Sequence, residues 1–393
     1  AAFFDSDNDG WLDLYITNYV DYDINDNPVC TSPMQYPRYG ETHARSYCDP
    51  DVFLGVEDKF YYNKRGKFID RSSRSGVSRY KLRGLGVVPG DIDNDGDMDI
   101  YVANDKDMNL LFINNGKGRF DEKSLSMGTG FNKNGAAEAG MGVDVGDFDR
   151  DGWLDIFVTN YSGETNTLYQ NRQLGYFTDV TEEVGVGRSS LHFLAFGTKF
   201  IDLNLDGWLD LFVANGHVID NINLFNKSYN HSQHNQIYIN QSNGKFLDIT
   251  KKISGDILNK KVSRGAAFGD IDNDGDIDCI IANNNGNASL YINEGYQNNN
   301  WIGFELEGKS CNQDAIGSKI SDYLIKPVNP NQILLSIKKL LKQSDLISEK
   351  STSNYQRAFS QISMDLMDVD SLDGWKEIYN KLQKNTNILV SAH

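Results

Sequence analysis

The 393-residue chain has no run of 18 or more apolar residues, so no helix in it is expected to span a membrane. Basic charge is also short: 38 Lys and Arg stand against 55 Asp and Glu, a formal charge of −17. A surface of that sign repels phosphate backbones and argues against DNA or RNA as a partner. Cysteine is scarce, at four residues, and neither C-x-x-C spacing nor a Cys/His cluster points to zinc. No G-x-S-x-G, H-E-x-x-H or phosphate-binding loop is present, which removes the common signatures of hydrolases and nucleotide enzymes. The chain opens at Ala1 without an initiator Met and is read as beginning inside a repeat.

Charge and glycine are unevenly placed. Residues 1–320 hold 47 acidic and 29 basic residues, whereas residues 321–393 hold 8 and 9. Of the 36 glycines, 35 lie before residue 321. Two differently built pieces are therefore expected to meet near there.

What is abundant is one short pattern, D-x-[DN]-x-D-G-x-x-D, present five times. Its copies are Asp5, Asp7, Asp9, Gly10, Asp13; Asp91, Asp93, Asp95, Gly96, Asp99; and Asp147, Asp149, Asp151, Gly152, Asp155. The last two are Asp202, Asn204, Asp206, Gly207, Asp210 and Asp270, Asp272, Asp274, Gly275, Asp278. Calcium takes six to eight oxygens, and carboxylates at positions 1, 3 and 5 of a tight turn can converge on one ion. Glycine at position 6 permits the turn. An EF-hand closes with Glu at position 12 on a helix. Here an Asp closes the pattern at position 9 and alternating strand-like segments follow, such as Gly10–Thr17 and Trp153–Val158. A strand–loop–strand cation loop is expected, with position 7 contributing its carbonyl and the side chains of Asp97 and Asp276 facing solvent. Isolated Asp/Gly clusters are usually mere turns, but five copies with the same internal spacing argue otherwise. The loops contain 21 of the 55 acids, a concentration that is costly without a counter-ion. Asn204 adds no charge, so the fourth site is expected to be the weakest.

The flanks repeat too. A Gly-rich segment precedes four of the loops, as in Gly84–Val88 and Gly140–Val145. An aromatic segment ending in Asn follows each, at Asn63, Asn114, Asn171, Asn240 and Asn293. After the first four comes a Gly turn and a Phe segment, as in Gly66-Lys-Phe68 and Gly175-Tyr-Phe177. Four short strands recurring in this way predict an all-β chain, a β-propeller of four-stranded blades incomplete at the N-terminus, followed by a small mainly helical tail.

These units resemble FG-GAP or VCBS-type repeats, which build the propeller of integrin α chains. The wider pattern is similar to the cartilage acidic protein and UnbV group, through Val213-Ala-Asn-Gly-His217, Trp301–Gly308 and Asn312–Lys319. The last two stretches resemble the opening of an ASPIC/UnbV module, which breaks off after Ile320. The resemblance implies an exported Ca²⁺-binding protein, extracellular, periplasmic or at the cell surface. It further implies adhesive or scaffold roles, a protein or glycan ligand on the propeller face, and no catalytic residues. Residues 322–333 resemble the last strand, Lys-Pro turn and final helix of a response-regulator receiver, and Ser348–Met367 resembles the linker of PorX-type regulators. Lys326 falls at that family's phosphate-contacting lysine, with no acidic receiver pocket in the chain for it to serve. The expected domains are blades over 1–298, a truncated ASPIC/UnbV-like start over 299–320 and a helical segment over 321–393.

Other readings stay open. An exported protein would join Cys30 to Cys48, while a reduced one would leave two thiols. Cys279 sits in an apolar strand pattern and reads as a buried small hydrophobe. His217, His231 and His234 are either parts of a polar loop or ligands for a transition metal. The Asp pairs could serve a carbohydrate-active enzyme, and an acid pair facing the channel outside the five loops would favour that alternative. A third reading is a chimeric chain whose tail derives from a two-component response regulator.

Overall fold

The computed structural model describes residues 1–38, 41–253 and 255–295. All of them fall in one compact unit, Ala1–Gln297. The truncated module at 299–320 and the helical segment at 321–393 lie outside the described residues.

The architecture is a five-blade propeller arrangement, with each sheet running in simple sequence order. The first sheet takes Ala2–Phe4, Asp13–Ile16, Lys59–Lys64 and Lys67–Asp70. The second takes Gly84–Gly90, Asp99–Asn104, Leu110–Asn114 and Phe120–Glu122. The third is Val143–Gly146, Asp155–Val158, Thr167–Asn171 and Phe177–Asp179. The fourth is Ala195–Ile201, Asp210–Asn215, Gln236–Asn240 and Phe246–Asp248. The fifth has three strands among the described residues: Ser263–Gly269, Asp278–Asn283 and Ser289–Tyr291. Neighbouring strands within each sheet pair antiparallel.

The second strand starts at the loop's ninth residue in every blade. Gly10, Trp11 and Leu12, which alternation alone assigns to a strand, therefore belong to the turn. The second strands of the second to fourth blades are buried at every residue, because a sheet lies against each face. The apolar clusters accordingly form layers between blades. Phe4, Tyr15 and Phe60 pack on Ile100 and Phe112; Tyr101 and Leu111 on Ile156 and Tyr169; Phe157 and Leu168 on Leu211 and Tyr238; and Phe212 on Ile281.

First strands of successive blades touch one another, and this contact accounts for their glycines. A Cβ on Gly86 would lie 2.5 Å from the Met141 carbonyl oxygen, and one on Gly197 would lie 2.7 Å from the Ala266 nitrogen. A Cβ on Gly142 would overlap the Phe196 carbonyl. Only glycine lets these backbones approach so closely.

An insertion between the second and third strands of the first blade carries a hairpin, Thr31–Arg38 with Glu41–Arg45. Cys30 and Cys48 close its base as a disulfide. The hairpin reaches the fourth blade, where Asn221 Nδ2 donates to the Arg45 carbonyl at 2.9 Å and Lys227 N to Gln35 Oε1 at 3.2 Å. Cys279 is a buried free thiol, as its apolar surroundings suggested.

Candidate metal centres and a central cavity

Four of the five loops are wired alike at their first position. Position 1 accepts two backbone N–H bonds from positions 5 and 6: Asp5 from Asp9 and Gly10, Asp147 from Asp151 and Gly152, Asp202 from Asp206 and Gly207, Asp270 from Asp274 and Gly275. Position 5 accepts from the N–H of position 7, as Asp9 does from Trp11 and Asp95 from Asp97. The turn bends at two left-handed residues. Besides the position 6 glycines, position 4 has positive φ throughout: Asn8 54°, Asn94 58°, Arg150 62°, Leu205 56° and Asn273 62°.

The closing aspartates Asp13, Asp99, Asp155, Asp210 and Asp278 are at most 1% exposed. One oxygen of each accepts from the N–H of loop position 2, for example Ile92 N to Asp99 at 2.9 Å. The other accepts from the N–H of the Asn ending the third strand, for example Asn171 N to Asp155 at 2.8 Å. These residues thus anchor the loop to the blade whether or not they touch an ion.

Three carboxylate oxygens converge to within 4.8 Å in four loops: Asp5, Asp7, Asp9; Asp91, Asp93, Asp99; Asp147, Asp149, Asp155; and Asp270, Asp272, Asp278. The first triad uses position 5, whereas the other three use position 9. In the fourth loop Asn204 occupies position 3, and Asp202, Asp206 and Asp210 form no such triad among the described residues. There Asn204 Nδ2 donates to Asp206 at 3.2 Å. Asp7 Oδ1 is shielded from solvent and accepts no hydrogen bond, an expensive condition for a carboxylate oxygen. Burial and neighbouring carboxylates raise Asp93 to about 6 and Asp99 to about 8. Burial first, and then Asp149, lift Asp155 to about 9. Crowded, desolvated, oxygen-only donors of this kind fit a hard divalent cation.

Contrary to expectation, the side chains at position 7 do not both face solvent freely. Asp276 is 2% exposed rather than solvent-facing, and Asp97 accepts from Asn8 Nδ2 of the preceding blade's loop at 3.0 Å. Position 4 makes similar links, Asn94 to the Gly152 carbonyl and Arg150 over the Trp208 ring. The histidines do not assemble into a metal cluster among the described residues. His217 is fully buried beside Tyr161 and Tyr229, and its Nδ1 accepts from Ile219 N at 3.0 Å.

A cavity of about 880 Å³ is lined by all five blades, through residues such as Tyr19, Leu85, Met141, Phe196 and Arg264, and by the disulfide hairpin. Its acids outside the loops include Asp105 and Glu164. Asp105 accepts from the Tyr19 hydroxyl and Glu164 from Ala139 N. Burial raises the pKa of both.

Residues 91–158, 147–213 and 202–281 match the FG-GAP-like repeat family. The chain is a β-propeller carrying FG-GAP-like repeats. Among curated proteins it is similar to Cartilage acidic protein 1 of Homo sapiens, 28% identical over 278 residues, which is 68% of this chain and 39% of that protein. The Xenopus tropicalis protein of the same name is 28% identical over 138 residues, 35% of this chain and 21% of its own length. The chain thus spans well under half the length of both relatives. Residues 345–389 match the PorX response regulator linker domain. A solved Agrocybe aegerita lectin that recognises non-reducing terminal N-acetylglucosamine aligns at a TM-score of 0.31 and 14% identity, over 62% of this chain and 77% of its own; a likeness of that size carries no argument. No helix among the described residues is long and apolar enough to cross a membrane.

Proposed function

We propose that the chain is a Ca²⁺-stabilised, non-catalytic propeller module for extracellular binding, adhesion or scaffolding. The convergence of three carboxylate oxygens to within 4.8 Å in four loops carries this reading. Asp and Asn at positions 1, 3, 5 and 9 of the five loops would hold the ions, with the fourth loop binding most weakly. A bound ion supplies positive charge that offsets the crowded carboxylates and fixes the turn. The resemblance to Cartilage acidic protein 1 supports an exported, non-enzymatic role. Millimolar Ca²⁺, the range in which extracellular modules bind (about 10⁻⁴–10⁻³ M), is expected to raise the melting temperature and EDTA to lower it. An unchanged melting curve across that range would reject the cation reading.

The enzyme alternative gains one observation, the presence of Asp105 and Glu164 at the cavity. Each already accepts a hydrogen bond within the protein, which favours a binding wall over an acid–base pair. Loss of a measured glycosidase activity in Asp105→Asn would reverse that preference.

For the rest of the chain we retain blades over 1–298, a truncated ASPIC/UnbV-like start over 299–320 and a response-regulator-like segment over 321–393. The match at 345–389 supports the last. Mass spectrometry of peptides spanning residues 310–330 tests whether one polypeptide carries both pieces.

A further inference from the structure

Arg264 opens the fifth blade's first strand and lines the cavity. Its Nη1 donates to the carbonyls of Gly216 and Ser263, both at 2.8 Å, and its Nη2 to that of His217 at 3.3 Å. Its guanidinium carbon sits 4.4 Å from the Phe196 ring centroid. Three of its five N–H groups are thereby used, leaving Nε–H and one Nη2–H as a fork. No carboxylate lies within ion-pair distance of it among the described residues. By contrast, Lys106, the cavity's other cation, is paired with Asp49 at 2.5 Å. Arg264 is thus a fixed, partly desolvated cation with a free bidentate edge, the geometry that matches a carboxylate.

The other walls narrow the ligand further. Asp105 and Glu164 can only accept hydrogen bonds when ionised, so a ligand beside them must bring donors. The same carboxylates repel a second negative charge, which disfavours sulfated chains and other polyanions. Tyr47 is 63% exposed and Tyr161 half-buried, and both offer rings to an apolar face. Asn284 adds an amide that can both donate and accept, whereas that of Asn283 is held by Asn287, Ser289 and Ser263. One carboxylate, several hydroxyl donors and a C–H face are combined in a uronic acid residue. The volume of about 880 Å³ suits a ligand of a few sugar rings.

We propose that the cavity under the disulfide hairpin binds a saccharide bearing a single carboxylate, with Arg264 as the anion anchor. The proposal rests on the binding-module reading and names the ligand class for it.

The test is calorimetry on the full chain in saturating Ca²⁺, against oligosaccharides ending in one glucuronate and against their methyl esters, which keep the shape and lose the charge. The acid is expected to bind roughly ten-fold or more tightly than the ester, as a charge-assisted pair implies. Arg264→Gln is expected to abolish that ratio. Tyr47→Ala is expected to weaken acid and ester alike while the ratio persists. The Ca²⁺-induced melting shift, read on the same samples, reports the cation loops independently, so either idea can fail alone. Equal affinity for acid and ester, or no binding by a protein that still responds to Ca²⁺, overturns the proposal. Tighter binding of an acidic peptide than of the glucuronate overturns it in favour of a protein ligand. If Arg264→Gln loses the Ca²⁺ response through misfolding, the acid-to-ester ratio of the unmodified protein decides.

Discussion

The side-chain amide of Asn171, on the third strand of the third blade, donates to the carbonyl of Ile92 in the second blade's loop at 3.0 Å. The same nitrogen also donates to Leu154 of its own loop at 3.3 Å. Asn114 reaches Ser6, Asn240 reaches Phe148 and Asn293 reaches Leu203 in the same way. Each of the second to fifth blades is therefore stapled to the loop of the blade before it by one asparagine. Asn171→Ala removes both bonds and strands buried carbonyls, so a loss of roughly 1–3 kcal/mol is expected. Urea unfolding in Ca²⁺ measures it, and a variant within experimental error of the parent would show the staple to be incidental.

The buried loop aspartates make a pH prediction for the cation-free protein. Asp99 is raised to about 8 and Asp155 to about 9, against an ordinary carboxylate value of 3.8. An acid raised on folding contributes stability that is complete below its unfolded pKa and lost as pH climbs through the folded one. In EDTA the melting temperature should thus fall between about pH 5 and 9. Bound Ca²⁺ favours the ionised form, so the gain from Ca²⁺ should widen over the same interval. His217, lowered to about 4 by burial, pulls the opposite way at low pH but does so with and without Ca²⁺. A Ca²⁺ gain independent of pH would contradict this account.

Leu205 occupies the left-handed position 4 at φ 56°, where three other loops place Asn. Left-handed backbone costs an ordinary L-residue roughly 1–2 kcal/mol, and Asn less. Leu205→Asn should recover part of that and raise the melting temperature in EDTA and in Ca²⁺ alike. A lower melting temperature would mean that the half-buried leucine side chain contributes more than the backbone strain removes.

Asn204→Asp adds a charge to the loop that lacks a carboxylate triad and removes the Nδ2 bond to Asp206. Tighter Ca²⁺ binding together with lower stability in EDTA is expected. Calorimetric titration and melting curves read the two effects separately. Equal or weaker Ca²⁺ binding by the variant would place position 3 outside the ligand set.

The blade repeat was legible because loop, flanking strands and terminal Asn recur in fixed order. The asparagines were visible too, at residues 63, 114, 171, 240 and 293, but a residue type at a strand end does not say which carbonyl it will meet. The first-strand glycines were equally plain, whereas the close approach they permit is a contact between blades. Position 4 escaped notice because Asn, Arg and Leu share no chemistry, only a backbone angle. Asp276 was misplaced because its carboxylate lies against Gly295, beyond the third strand, where a Cβ would come within 2.5 Å of Oδ2. The cavity was invisible, since the hairpin that lines it belongs to the first blade while Arg264 belongs to the fifth.

The staple also couples neighbouring loops. Asn171 holds the Ile92 carbonyl, and the Ile92 N–H is in turn held by Asp99 of the second loop's own triad. An ion that orders one loop thereby presets the grip on the next blade, whose own loop is closed through the same asparagine's N–H. Neighbouring sites would then behave as a one-dimensional chain with nearest-neighbour coupling. Occupancy should rise more steeply with Ca²⁺ concentration than independent sites allow, and because such coupling is reciprocal a vacated loop should loosen the blades on both sides of it.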